Sequence, residues 1–180
     1  EFLYGRIESR IKFSTLDKGT WPAFWMLENR ISDQPIKGDD DFSYWPNAGA
    51  SEIDIWEWFS NSPDTYITNF FNGVGNCGEL TYYTYPNGGR DVLDWHDYAM
   101  EWDKDTISFY VDNELVVSKD MRNCERYQEP MFILLNVAIG GNLGGWVDPN
   151  LQIASMEVDY VAHCQATSQN NATQCNGNTP

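Results

Sequence analysis

The 180-residue sequence predicts an all-β domain, and three observations carry that expectation. Apolar residues recur with period two in short runs. Clusters of Gly, Pro, Asn and Asp punctuate those runs. No stretch shows the 3.6-residue period of an amphipathic helix. The length suits a single domain with a substantial core.

The elements follow in order. Residues 3–13 put Leu3, Ile7, Ile11 and Phe13 on one side and Tyr4, Arg6, Glu8, Arg10 and Lys12 on the other, a strand with one buried face. Gly19 ends it. Residues 21–27 are a short apolar strand. Pro22 belongs at its start or beside a bulge, because it has no N–H for the ladder. Residues 28–50 hold Pro35, Gly38, Asp39-Asp40-Asp41, Pro46 and Gly49, a long loop before the next strand. The Asp triplet lacks EF-hand spacing and reads as solvated loop. After a strand at 51–58, Asn61-Ser62-Pro63-Asp64 is a turn. Residues 66–71 and 80–85 are strands. Gly73-Val74-Gly75-Asn76-Cys77-Gly78 matches G-x-G-x-x-G, but a strand-like run follows instead of a helix, so the dinucleotide reading fails on context. Residues 98–102 and 106–111 are strands, and Asp112-Asn113 is a hairpin turn into 115–117. Residues 131–139 are apolar except Asn136, as expected of a central strand. A Gly-rich loop with Trp146 covers 140–150, a last strand covers 156–161, and a polar tail covers 165–180.

Composition narrows the function. Eleven Lys and Arg against 27 Asp and Glu give a net charge of −16. A nucleic-acid partner is excluded on that balance, since phosphates need cations. A sulfated polymer is disfavoured for the same reason. No run of eighteen apolar residues occurs, so no membrane partner is expected. Eight Trp are many, and half are assigned to the core. The others suit stacking on the apolar faces of sugar rings. Four Cys without a metal-like C-x-x-C favour disulfides in a secreted, extracellular protein. The expected pairs are Cys164–Cys175 and Cys77–Cys124, with free thiols as the alternative. Asn171-Ala172-Thr173 is a glycosylation sequon. A monomer is expected.

The chemistry concentrates in Ser51-Glu52-Ile53-Asp54-Ile55-Trp56-Glu57-Trp58. Alternation puts Glu52 and Asp54 on one face and Ile53 and Ile55 on the other. Continued strictly, it would send Glu57 into the core, where an unpaired carboxylate is expensive. One extra residue at Ile55-Trp56, a β-bulge, returns Glu57 to the side of Glu52 and Asp54. The alternative is a solvated acidic strand. Two Trp among the acids argue against it, and the segment holds no Lys, Arg or His to balance a structural role. Three close carboxylates cannot all ionise cheaply, so at least one pKa rises. A protonated acid beside an ionised one is the pair that glycoside hydrolysis uses. Asn136, the one polar residue in its strand, needs a hydrogen-bond partner and is a candidate to reach the same groove.

Glu-Ile-Asp-Ile-Trp-Glu resembles the E-x-D-x-x-E signature of family 16 glycoside hydrolases, on the laminarinase and agarase side. Tyr4-Gly5-Arg6-Ile7-Glu8-Ser9-Arg10, Thr20-Trp21-Pro22-Ala23-Phe24-Trp25-Met26, Trp95-His96-Asp97-Tyr98-Ala99-Met100-Glu101-Trp102, Leu135-Asn136-Val137-Ala138-Ile139-Gly140-Gly141-Asn142 and Val158-Asp159-Tyr160-Val161 agree in order. The resemblance implies a concanavalin-like β-jelly-roll sandwich of two antiparallel sheets over residues 1–164. It also implies that the family's N-terminal strands are missing, which would leave exposed edges. By residue match Glu52 is the nucleophile, Glu57 the general acid and then base, and Asp54 the residue that orients Glu52. Glu8, Arg10, Trp21, Trp25 and His96 match substrate-binding positions, and Trp146 is a further stacking candidate. The implied activity is that of a retaining endo-glycosidase acting on a polysaccharide, a β-1,3- or β-1,3-1,4-glucan. The alternatives are a red-algal galactan hydrolase and a lectin-like binding module. No cofactor is required for the chemistry, and a structural calcium is a family expectation. One departure stands out: where many members carry His two residues after the Thr of the strand that follows the acids, this chain has Thr68-Asn69-Phe70.

Overall fold

The computed structural model describes residues 1–29, 50–71 and 77–165. Asp39-Asp40-Asp41, most of the Gly-rich stretch at 73–78, Cys175 and the Asn171 sequon lie outside them.

Among the described residues ten strands form two five-stranded antiparallel sheets. The front sheet has the order β5-β4-β3-β2-β9 and the back sheet the order β10-β1-β6-β7-β8. In chain order the strands are β1 (Gly5–Phe13), β2 (Thr20–Glu28), β3 (Glu52–Trp58), β4 (Thr65–Phe71), β5 (Gly78–Thr84), β6 (His96–Trp102), β7 (Thr106–Val111), β8 (Glu114–Asp120), β9 (Met131–Ile139) and β10 (Met156–Cys164). The all-β expectation therefore holds, as a two-sheet sandwich. Single-turn helical pieces at Gly89–Leu93, Glu125–Gln128 and α1 (Gly141–Gly144), among the described residues, escaped the sequence reading. A single turn is too short to display a helical period.

Alternation builds the core. Ile7, Ile11 and Phe13 of β1 face Phe24, Met26, Ile53, Trp56 and Trp58 of the front sheet, with Tyr98, Met100 and Trp102 of β6 beside them. Trp56 stacks on Tyr98 with centroids 4.9 Å apart, and Phe13 meets Trp58 at 5.5 Å. The buried indole N–H of Trp56 donates to Tyr85 Oη at 3.1 Å, and that oxygen lies 2.6 Å from Tyr98 Oη. These three polar groups are thus linked within the core. The β7–β8 turn has positive φ at both Asp112 (50°) and Asn113 (66°), as the hairpin reading requires. Cys77 and Cys124 form the expected disulfide, with Cα atoms 5.5 Å apart, tying the start of β5 to the segment after β8. No described cysteine is free, and the proposed partner of Cys164 lies outside the described residues.

Pro22 sits near the start of β2, before the pairing with β3 begins at Ala23. The strand at 131–139 corrects an expectation. It reads as central, because it is apolar on both faces, yet β9 is an edge of the front sheet among the described residues. Leu135 and Ile139 are exposed there. On the back sheet β10 is likewise an edge, with Val158 and Val161 exposed. A cavity of about 320 Å³ opens between Val137 and Ile139 of β9 and Val147, Leu151 and Ile153 of the following loop.

Candidate active site on the front sheet

The bulge is present at the expected residues. On β4 only Thr68 lies between Asn69 and Ile67, whereas on β3 both Ile55 and Trp56 lie between their partners Asp54 and Glu57. On the other side, Asp54 pairs with Trp25 and Trp56 with Phe24, so one extra residue is again accommodated. The consequence is a change of phase. Ile53, Ile55, Trp56 and Trp58 all join the core cluster, while Glu52, Asp54 and Glu57 emerge together on the outward face.

Each side chain is held by a neighbour that the register supplies. Asn69, opposite Asp54, donates from Nδ2 to Asp54 Oδ2 at 3.0 Å. Trp21 of β2 donates from Nε1 to Glu57 Oε1 at 2.9 Å. Trp25, opposite Asp54 on β2, donates from Nε1 to Asn136 Oδ1 of β9 at 2.7 Å. Asn136 thus has the partner its position demanded, on the carboxylate side of the sheet. The loop after β9 backs Trp21. Gly141 adopts φ +74°, and a Cβ there would lie 3.3 Å from the indole ring. A larger residue would strain the turn and press on the ring that holds Glu57.

Electrostatics divides the carboxylates. Burial raises Asp54 well above the ordinary Asp value, and the nearby Glu57 and Glu52 charges add to it. The Asn69 bond opposes that rise but does not cancel it, and a side-chain bond to Glu52 raises it further. Glu57 is pushed up to about 7, chiefly by burial, with the Trp21 bond opposing and the Glu52 charge adding. A low dielectric and like charges both disfavour full ionisation. Burial and like charge thus make the ionised forms of Asp54 and Glu57 costly, and Glu57, at about 7, is poised between acid and base near neutral pH.

The other expected contacts are dispersed. Trp21, Trp25 and Asn136 join the carboxylate face. Glu8 and Arg10 do not, because β1 belongs to the back sheet and their side chains face away from Ile7 and Ile11. Glu8 accepts from Arg6 Nε at 2.8 Å and from Tyr160 Oη at 2.5 Å. Arg10 pairs with Asp159 at 3.3 Å. The residue pattern of β1 showed two faces but not which sheet they flank. His96 starts β6 in the back sheet. Its Nδ1 lies 2.6 Å from Asp112 Oδ2 and its Nε2 3.0 Å from the Asp91 carbonyl, so the ring clips the hairpin and a turn. Trp146 is 65% exposed on the loop that carries Gly141. Asn69 was not singled out in the sequence, and its role as the partner of Asp54 needed the β3–β4 register. Among the described residues no group of three or more His, Cys, Asp or Glu is arranged to hold a metal ion.

Comparison with known proteins agrees with this geometry. The family model for glycosyl hydrolases family 16 matches residues 1–162. A glucan endo-1,3-beta-glucosidase A1 of Niallia circulans is 32% identical over 88% of this chain and 24% of its own length. A beta-glucanase of Rhodothermus marinus is 33% identical over 88% of this chain and 56% of its own. The laminarinase catalytic domain of Thermotoga maritima superposes with a TM-score of 0.77 at 30% identity, covering 93% of this chain and 66% of that one. The chain thus spans about a quarter and about half of the length of these two curated relatives. With the family model matched almost end to end and the acid triad emerging on one sheet face, the chain belongs to family 16 of the glycosyl hydrolases.

Proposed function

We propose that this chain carries the catalytic machinery of a retaining endo-β-glucanase that hydrolyses β-1,3- or β-1,3-1,4-glucan by double displacement. The observation that carries the proposal is the bulge that returns Glu57 to the face of Glu52 and Asp54, with Glu57 raised to about 7. Glu52 attacks the anomeric carbon. Glu57 gives its proton to the leaving glycosidic oxygen, and the carbon–oxygen bond breaks. Asp54, whose pKa is raised and whose side chain bonds to Glu52, fixes the orientation of the nucleophile.

The same coupling lets Glu57 change roles. The negative charge of Glu52 helps hold its pKa up. Esterification of Glu52 in the glycosyl-enzyme removes that charge, so the pKa of Glu57 falls and it takes a proton from the incoming water. Trp25 and Asn136 supply an indole wall and an amide next to the carboxylates. The glucan assignment is drawn from the relatives' activities, and the charge of −16 favours a neutral polymer. A disulfide is consistent with a secreted enzyme.

Early-product NMR on laminarin is the test. The first sugar released carries the β-anomer if the reading is right, which requires the Glu52 and Glu57 carboxyl groups to stand about 5–5.5 Å apart. Initial release of the α-anomer would replace the double displacement with a single inverting step.

A further inference from the structure

The outward face of the front sheet does not end at the carboxylates. Register carries it across β4 to β5: Glu57 pairs with Ile67, which pairs with Tyr82, and Asp54 pairs with Asn69, which pairs with Leu80. Directly paired residues project to the same face of a sheet. Glu52 is opposite Phe71 in the same way. Tyr82 is 62% exposed, and Phe71 and Leu80 are each about half exposed at 49% and 50%. The alternate residues of β5 turn inward, with Tyr83 packing on core Tyr66 at 5.0 Å. Their exposure is therefore a property of this one face.

We propose that Phe71, Leu80 and Tyr82 form an outlying subsite that takes the apolar face of a pyranose ring. That ring belongs to the same polysaccharide chain that crosses Glu52 and Glu57. The inference deepens the glucanase reading and rests on it. Tyr82 lies two strands from Glu57, about 10 Å at ordinary strand spacing, which is wider than one sugar ring. A chain held at both places runs across the strands and has internal residues at the cleavage point. The patch itself is uncharged, so it offers no attraction to a sulfated or carboxylated sugar. A tyrosine is rigid, stacks on C–H-rich ring faces and keeps a hydroxyl for the sugar's own hydroxyls. The patch thus favours long neutral chains over short ones. The other occupant open to it is a second copy of this chain, since β5 is an edge strand.

Tyr82→Ala tests the subsite with little risk to folding, because the side chain is exposed. The readouts are kcat/KM on laminarin, kcat/KM on a chromogenic β-1,3-linked disaccharide too short to reach β5, retention by laminarin in affinity electrophoresis, and sedimentation. We expect kcat/KM on laminarin to fall about three- to tenfold, the size of one lost aromatic contact. The disaccharide value should not change, retention should weaken, and Tyr82→Phe should keep most of both. An unchanged laminarin value, or an equal fall on both substrates, overturns the subsite. A wild-type dimer that the substitution dissociates assigns the patch to self-association instead. Wild-type protein that cleaves neither substrate overturns the glucanase reading. In that event weaker laminarin retention in Tyr82→Ala still supports the sugar site, and equal retention removes it.

Discussion

The two sheets of this sandwich present two acid-rich outer faces, and they treat their acids in opposite ways. On the back sheet Glu8, Glu101, Glu157 and Asp159 are paired with cations. Arg6, 4% exposed, reaches Glu8 at 2.7 Å and Glu101 at 3.2 Å and lies over the ring of Tyr110, while Arg10 and Lys12 pair with Asp159 and Glu157 and lie over Trp95. On the front sheet Asp54 and Glu57 have no cationic partner among the described residues. Burial and mutual crowding instead raise the pKa of both. A carboxyl group with a raised pKa keeps its proton to higher pH and can give it up there, which is what acid catalysis requires.

That contrast can be broken in graded ways. The largest effect belongs to Glu57→Gln, which keeps the shape and the Trp21 contact but has no proton to transfer. Turnover of laminarin should fall about a thousandfold, with the melting temperature unchanged or raised by the relief of like charge. A variant retaining a tenth of wild-type turnover would remove Glu57 from the mechanism. Glu8→Ala, on the other face, should do the reverse. It strips the nearly buried Arg6 of its closest partner and should cost about 2 kcal/mol of stability. Calorimetry should show a melting point several degrees lower, while kcat on laminarin at a temperature where the variant is folded stays at the wild-type level. A lowered kcat with intact stability would mean that the back face takes part in catalysis.

The smallest effect is the most diagnostic. The Trp21 indole N–H favours the ionised form of Glu57 and so holds its pKa below the level that burial alone would set. Trp21→Phe removes that donor and keeps most of the wall. The pKa of Glu57 should rise, and because the reaction needs the protonated acid, the alkaline limb of kcat/KM should move to higher pH. An alkaline limb that stays in place or moves to lower pH would show that Trp21 acts as packing alone.

Much of the site was legible because its signal is local. Three carboxylates in β3 could share one face only if the strand gained a residue, and the penalty for burying Glu57 identified where the extra residue belonged. Asn136 was legible for a similar reason, as one amide among apolar neighbours. Glu8 and Arg10 were not. Their alternation with Ile7 and Ile11 is sound, yet a period of two describes two faces of a strand and is silent about its neighbours. Tyr82 and Leu80 were missed on the same ground. In the sequence they are an ordinary strand, and only pairing through Ile67 and Asn69 aligns them with the acids.

The sequence by itself therefore determined the fold class, the kinked acid strand and the residue types of the chemistry, since each follows from periodicity and from the cost of placing a given side chain indoors. Only the tertiary structure decided which sheet each strand joins, which partner each acid receives, and how far the carboxylate face extends. Those outcomes depend on hydrogen-bond ladders between segments tens of residues apart, and the pattern within one strand carries no information about them.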